Sequence, residues 1–535
     1  MSASFRNSEI HRKAQGLFYL LVFAAGMLNA ASATDVTTYH NNIERTGQNS
    51  QETILTLGNI NSTSFGKLFT LPVDGIIDAE PLYLSAVTIS GAVHNVLYAV
   101  TENDSVYAFD ADTGTLLWRV SVLAAGESPS DDHGCGQISP QIGITSTPVI
   151  DRSSGPDGTV YVVAMSKKGT TYFQRIHALD LTTGAEEFGG PVAVQAKYPG
   201  TGDNSQGGFV IFDPAQYAER AGLLLMNHVV YTGWTSHCDD RPYTGWLIGY
   251  SESTLAQTSV LNLTPNGNEG SIWQAGGGLA SGGSNIFFLD ANGTFDTTLN
   301  SKGFPVKGDY GNGFLKVAPD GTKLVVADYF EMYNTVQESD ADEDLGSGGV
   351  IVLPEMKDSS GNLWNLAVGA GKDSNIYIVD RANMGKFNAS SNAIYQELSG
   401  VLAGGLWSAP AYFNGSLYFG PVSNNLLQFS FSQAKLSTSP VSKSSITFAY
   451  PGSTPSVSSN GTANGIVWAI EHSGNPDVLH AYSAANLATE LYNSNQASGG
   501  RDQFGQASHF GTPMIVNGKV YVGTTNSVAV FGLLK

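Results

Sequence analysis

Apolar positions between residues 65 and 535 fall in short runs that alternate with polar residues or are wholly apolar, and turn-forming residues bound nearly every run. VLYAV at Val96, TVYVV at Thr159, VVYTG at Val229, SLYFG at Ser416 and KVYVG at Lys519 are rich in Val and Tyr and bounded by Gly, Asn, Asp and Thr. β-Branched and aromatic residues in such runs predict strands, not helices. A segment with a small residue, then x-Pro-apolar-apolar, recurs as AEPLYL at Ala79, TSTPVI at Thr145, WSAPAY at Trp407 and FGTPMI at Phe510. A third strand then ends in Asp and a turn: VYAFDADTGTLLW (Val106 to Trp118), IHALDLTTGAEEF (Ile176 to Phe188) and IYIVDRANMGKF (Ile376 to Phe387). LIGYSESTLAQ at Leu247 and LHAYSAANLATELY at Leu479 are looser copies, and LLWRVSV (Leu116 to Val122) is an outgoing fourth strand. In the Asp-x-x-x-Gly turns, Asp110 to Gly114 and Asp180 to Gly184, the carboxylate can accept local backbone N–H groups and the glycine supplies positive φ.

A repeated four-stranded meander with loops of unequal length predicts an all-β β-propeller. A β-sandwich is the competing architecture, and recurrence of the motif along the chain argues against it. Blade starts near Ala79, Ile144, Ala221, Trp273, Gly348, Gly405, Pro455 and Gly511 give an eight-bladed count, with seven left open because the fourth, fifth and seventh units are the least regular. The last unit has three strands before Lys535 (GTPMIVN, KVYVGTTN, SVAVFGLL), and FGKLFTLPV (Phe65 to Val73) is expected to supply the fourth, closing the ring and removing a sheet edge. The predicted organisation is a signal peptide over 1–33, an N-terminal extension over 34–64 and a single propeller domain over 65–535. A length of 535 residues would otherwise suggest several domains.

The content of 62 glycines and 13% charged residues suits many turns and neutral strands, and 41% hydrophobic residues suffice for a large core. A net charge of −20 argues against nucleic acid and anionic membrane surfaces as partners. Arg6, Arg12 and Lys13 precede the apolar run Leu17 to Leu28, and Ala31-Ser32-Ala33 forms a small-x-small site, so cleavage is expected before Thr34. An uncleaved anchor is the alternative, but the run is short for a bilayer span and no later segment is long and apolar enough. A secreted or periplasmic location follows. In an oxidising compartment Cys135 and Cys238 are expected to form one disulfide; a metal site pooling them with His133 and His237 is the other reading.

VYAFDADTGTLLW resembles the repeat of the pyrroloquinoline-quinone-dependent (quinoprotein) alcohol dehydrogenases and of non-catalytic scaffold relatives such as BamB. YHNNIERTGQN (Tyr39 to Asn49), CGQISPQIGITSTPVID (Cys135 to Asp151) and GKDSNIYIVDRANMGKF (Gly371 to Phe387) resemble a secreted bacterial and fungal group with the same repeat. The resemblance implies the propeller fold and brings pyrroloquinoline quinone (PQQ) with Ca²⁺ into consideration as cofactors. Several family features are missing from this sequence. It has no adjacent cysteines and no C-x-x-C-H haem motif, and only Trp118 stands at the repeat's docking-tryptophan position, with Phe188, Phe387 and Tyr492 elsewhere.

The candidate metal ligands are Asp340, Asp342 and Asp344, with Glu343 between them, although Leu345 and Ile351 break an EF-hand pattern and a solvated acidic loop is the competing reading. Lys372 and Arg381 flank a strand and suit either an anionic ligand or the surface. Trp273, Trp407 and Trp468 suit either a channel mouth or packing between blades. From sequence, a non-catalytic protein that binds a protein, glycan or small ligand through its loops is favoured over a quinoprotein dehydrogenase acting on an alcohol or sugar.

Overall fold

The computed structural model describes residues 34–535. The expected signal peptide, residues 1–33, lies outside the described residues. Among the described residues no helix is long and apolar enough to cross a membrane.

Sheets of four or more strands follow one another along the chain. Their inner strands are Leu82–Ile89, Val149–Asp151, Leu224–Met226, Ala280–Gly282, Ile351–Val352, Ala411–Phe413, Ser456–Asn460 and Met514–Val516. Each begins within a few residues of a blade start expected from sequence. Successive inner strands lie side by side: Leu224–Met226 beside Ala280–Gly282, that strand beside Ile351–Val352, and Ser456–Asn460 beside both Ala411–Phe413 and Met514–Val516. Apolar side chains fill the space between neighbouring sheets, which is propeller packing. Trp468, expected either at the channel mouth or between blades, is fully buried with Phe65, Ile515 and Phe531 between the last two sheets.

The turn chemistry follows the sequence reading. One oxygen of Asp110 accepts the N–H groups of Asp112 and Thr113, and one oxygen of Asp180 accepts those of Thr182 and Thr183. Trp118 docks on the second of these turns, donating its indole N–H to the Leu181 carbonyl at 3.0 Å. Gly184 is required there twice over: its φ is +70°, and a Cβ would lie 2.8 Å from the Trp118 ring. The strand Phe65–Pro72 pairs antiparallel with Ser527–Leu533, so the last sheet is completed by the beginning of the domain.

The extension over 34–64 is more than a leader to that strand. Between Val36 and Asn49 it crosses the channel and bonds to each of the inner strands or the residue before it. Val36 exchanges hydrogen bonds with Tyr83; the carbonyls of Thr37, Ile43, Glu44, Thr46 and Gly47 accept the N–H groups of Ile150, Ser281, Val352, Tyr412 and Val457. Arg45 donates to the Leu223 carbonyl and Asn49 to that of Ile515. Arg45 is fully buried and also donates to the carbonyls of Leu279 and Tyr39 and to the Thr38 hydroxyl, so its desolvated charge is well solvated by protein dipoles. This segment is a plug.

Burying this polar machinery shifts its titration. Burial pushes Glu80 beside the plug and Glu219 up to about 8, with Glu102, Asp104, Asp290 and Glu331 also well above the usual carboxylate range. The folded state therefore keeps protons that the unfolded chain has released, so this contribution is present at low pH and is lost as pH rises through the raised values. His40 and His237, lowered by burial to about 4 and about 3, act oppositely, but only below the unfolded histidine value of 6.5. The melting temperature should therefore fall by about 5 °C between roughly pH 6.5 and pH 8.5. Thermal melts across that range check the sign; a flat or rising profile would contradict it.

Candidate functional site

The plug meets the inner strands at or next to their first residues, so residues several positions ahead of those strands are gathered on its other side. Trp273 and Trp407 stand there, before Ala280–Gly282 and Ala411–Phe413, as does Arg220 before Leu224–Met226. Asp344 precedes the fifth inner strand, and Lys372 lies on the turn between Leu366–Ala370 and Ile376–Asp380. A pocket is formed by Trp273, Trp407, Asp344, Lys372, Asn292 and the segment Thr235–Asp239.

Charge and aromatic surface converge on it. The Lys372 ammonium lies 2.7 Å from Asp344 and 2.5 Å from Asp342, and 6.0 Å from the Trp407 ring centre. Around the mouth, aromatic contacts run from Trp407 to Tyr450 (5.9 Å), Tyr450 to His509 (5.3 Å), His509 to Phe510 (5.2 Å) and Phe510 to Trp273 (5.3 Å). The Arg220 guanidinium sits 5.0 Å over Phe510. Burial raises Asp344 to about 6, with Lys372 opposing and Asp239 and Asp342 adding to the rise. Its neighbour Asp290 is raised well above the normal range by burial. Buried atoms without a hydrogen-bond partner among the described residues include Arg220 Nη2, Ser236 Oγ, His237 Nε2, Asn292 Oδ1 and both oxygens of Asp290.

The structure separates the sequence candidates. Lys372 belongs to the pocket, whereas Arg381 lies in a different depression, beside the plug. Trp273 and Trp407 line the pocket; Trp468 does not. The acidic run does not act as a unit. A single helical turn, Thr335–Asp340, leaves Asp340, Asp342 and Glu343 exposed while Asp344 turns inward. Lys372 occupies the ground between Asp342 and Asp344, and among the described residues no three His, Cys, Asp or Glu side chains are placed to share a metal ion. Arg220, Asp290, Asn292, Tyr450, His509 and Phe510 escaped the sequence reading. Arg220 was recoverable: it stands just ahead of its inner strand, as the candidate tryptophans do.

Cys135 and Cys238 are bonded to each other, with Cα atoms 5.6 Å apart. His133 and His237 stack at 4.0 Å beside the bridge. Cys238 lines the pocket, so the disulfide fixes a wall of the site across 103 residues of sequence. A Cys135→Ser, Cys238→Ser double variant should lose about 3 kcal/mol. Urea denaturation measures this; an unchanged midpoint would show that the loops hold without the bridge.

No family model matches the chain, and no curated protein matches it. Solved structures do. The quinohemoprotein alcohol dehydrogenase ADHIIG from Pseudomonas putida HK5 aligns with a TM-score of 0.60 at 13% identity, over 94% of this chain and 80% of its own. The quinohemoprotein alcohol dehydrogenase from Comamonas testosteroni gives 0.58 at 15%, over 94% and 81%. A europium-containing methanol dehydrogenase gives 0.59 at 12%, over 94% and 98%. The chain has the quinoprotein dehydrogenase propeller fold. At these identities the likeness describes that fold, and activity has to be argued from the pocket.

Proposed function

We propose that the pocket binds a planar, carboxylate-bearing quinone of the PQQ class, and that the protein is an oxidoreductase for an alcohol or sugar, working outside the cytoplasm. The observation that carries this is the convergence of Lys372, Asn292 and buried Asp344 between Trp273 and Trp407. Trp273 offers a flat aromatic surface, and Lys372 offers positive charge; Arg220, 3.9 Å from Asp78, lies outside the lining. The unpartnered Ser236 Oγ and Asn292 Oδ1 are polar atoms that lack satisfaction within the described residues. These groups match the chemistry of a quinone; Ca²⁺ is not matched, because Lys372 already engages the two acids nearest it and no third ligand joins them.

When bound, a quinone supplies the two-electron acceptor. The chain's own contribution is binding and proton handling. Asp344, with its carboxyl near about 6, is ionised at neutral pH and suited to take the hydroxyl proton of a substrate. Lys372 holds that carboxylate in its ionised form and in position. The disulfide-tethered segment and the aromatic rim restrict water at the site.

Titrating PQQ into the protein, with and without Ca²⁺, tests the reading by melting temperature, and a dye acceptor with a panel of alcohols and aldoses tests turnover. A rise that grows with the logarithm of quinone concentration is expected, about 2.7 kcal/mol at a hundredfold excess over Kd, without a requirement for Ca²⁺. The absence of any quinone-dependent shift would refute quinone binding. Binding with no turnover would instead support the non-catalytic binding protein favoured by sequence.

A further inference from the structure

We infer that the plugged end of the channel carries a second, independent site, for a neutral oligosaccharide. Along the plug, buried and outward positions alternate: Arg45, Gly47 and Asn49 are buried, whereas Glu44, Thr46, Gln48 and Ser50 face a depression walled by Val352 to Glu355, Arg381 and Tyr412. A second depression shares Asn42, Gln48 and Ser50 with the first and continues past Asp35 and Asn41. The two, about 910 and 490 Å³ and open to solvent, make one elongated groove.

Its chemistry selects the ligand. The groove is furnished with carboxamides and hydroxyls, together with the carboxylates of Asp35, Glu44 and Glu355. Each amide both donates and accepts, which matches paired sugar hydroxyls that do the same. Two polar atoms at its ends are buried with no partner among the described residues, Asn41 Oδ1 and Arg381 Nε. Arg381 packs against Gly282, where a Cβ would lie 2.3 Å from its Nη1 and make the guanidinium shift. The Tyr412 ring and Pro354 provide surface for sugar C–H faces. A polyanion is disfavoured by the net charge of −20. An extended peptide adding as a strand is disfavoured because the plug's carbonyls at Ile43, Glu44, Thr46 and Gly47 are already bonded to the sheets. The plug separates this groove from the pocket at Trp273, so the inference does not depend on quinone binding.

Calorimetric titration of the secreted protein with cellohexaose, maltohexaose, xylohexaose and chitohexaose tests it. At least one should bind saturably at one site per chain. Tyr412→Ala and the isosteric Glu44→Gln should each weaken that binding about tenfold, with melting unchanged in Glu44→Gln. Lys372→Met should leave it unaltered. The inference fails if none of the four binds, if neither groove variant weakens binding, or if Lys372→Met abolishes it, which would move the sugar to the other end of the channel.

Discussion

A chain beginning at Asp74 should not accumulate as a folded monomer. It lacks Phe65–Pro72, the partner of Ser527–Leu533, and so exposes the edge of the last sheet, the arrangement that invites strand addition and aggregation. It also loses Phe65 and Leu71, which are 0% and 1% exposed. Truncating one buried Phe or Leu typically costs about 2–5 kcal/mol, against a net stability of about 5–15 kcal/mol for a whole domain. The plug goes with them, leaving a row of inner-strand N–H groups without acceptors. A chain beginning at Ser64 separates the two contributions, since it keeps the closing strand and loses the plug together with buried Leu55 and Ile60. It should remain monomeric but melt lower. Size-exclusion chromatography and thermal melting of both chains decide this, and an Asp74 chain that stayed monomeric with unchanged melting would show that neither element closes the ring.

The closing strand and the plug were unequally legible in sequence, for a physical reason. Phe65 to Val73 carries apolar residues at strand spacing and copies the outgoing strand at Leu116, so its role could be read from pattern. The plug offers no such pattern: its bonds are mainly main-chain carbonyls meeting inner strands hundreds of residues away, and a carbonyl leaves no mark on residue type. The stretch Tyr39 to Asn49 entered the sequence reading only through its resemblance to the secreted group, without a structural role; in the fold its Arg45 becomes a buried hydrogen-bond centre. The pocket shows the same division. Asp344 and Lys372 were both noted, yet separately, as a metal ligand and as a cation for an anionic ligand or the surface, because their pairing depends on two turns from successive segments meeting at the channel mouth. The acidic run suggested a shared ion through its alternating acids. A short helix followed by a bend instead leaves Asp340, Asp342 and Glu343 exposed and turns Asp344 into the site.

That pairing yields the sharpest functional expectation. Asp344 can accept a proton only while ionised, so oxidation should rise with pH through its value near about 6. Lys372 opposes the upward push of burial on that carboxyl. Lys372→Met removes the opposition, so Asp344 climbs and the rising limb of the pH profile should move to higher pH. Quinone affinity should fall in the same variant, because a cation facing an anionic ligand has gone. Asp344→Asn should behave differently: the amide keeps size and polarity but cannot take a proton, so turnover should drop by about 10²–10⁴-fold while the quinone-induced melting shift persists. Measuring dye-linked oxidation against pH, alongside the melting shift, distinguishes the two roles. A Lys372→Met profile superimposable on that of the unmodified protein would show that the lysine does not tune Asp344. An Asp344→Asn variant with undiminished turnover would show that another group takes the substrate proton.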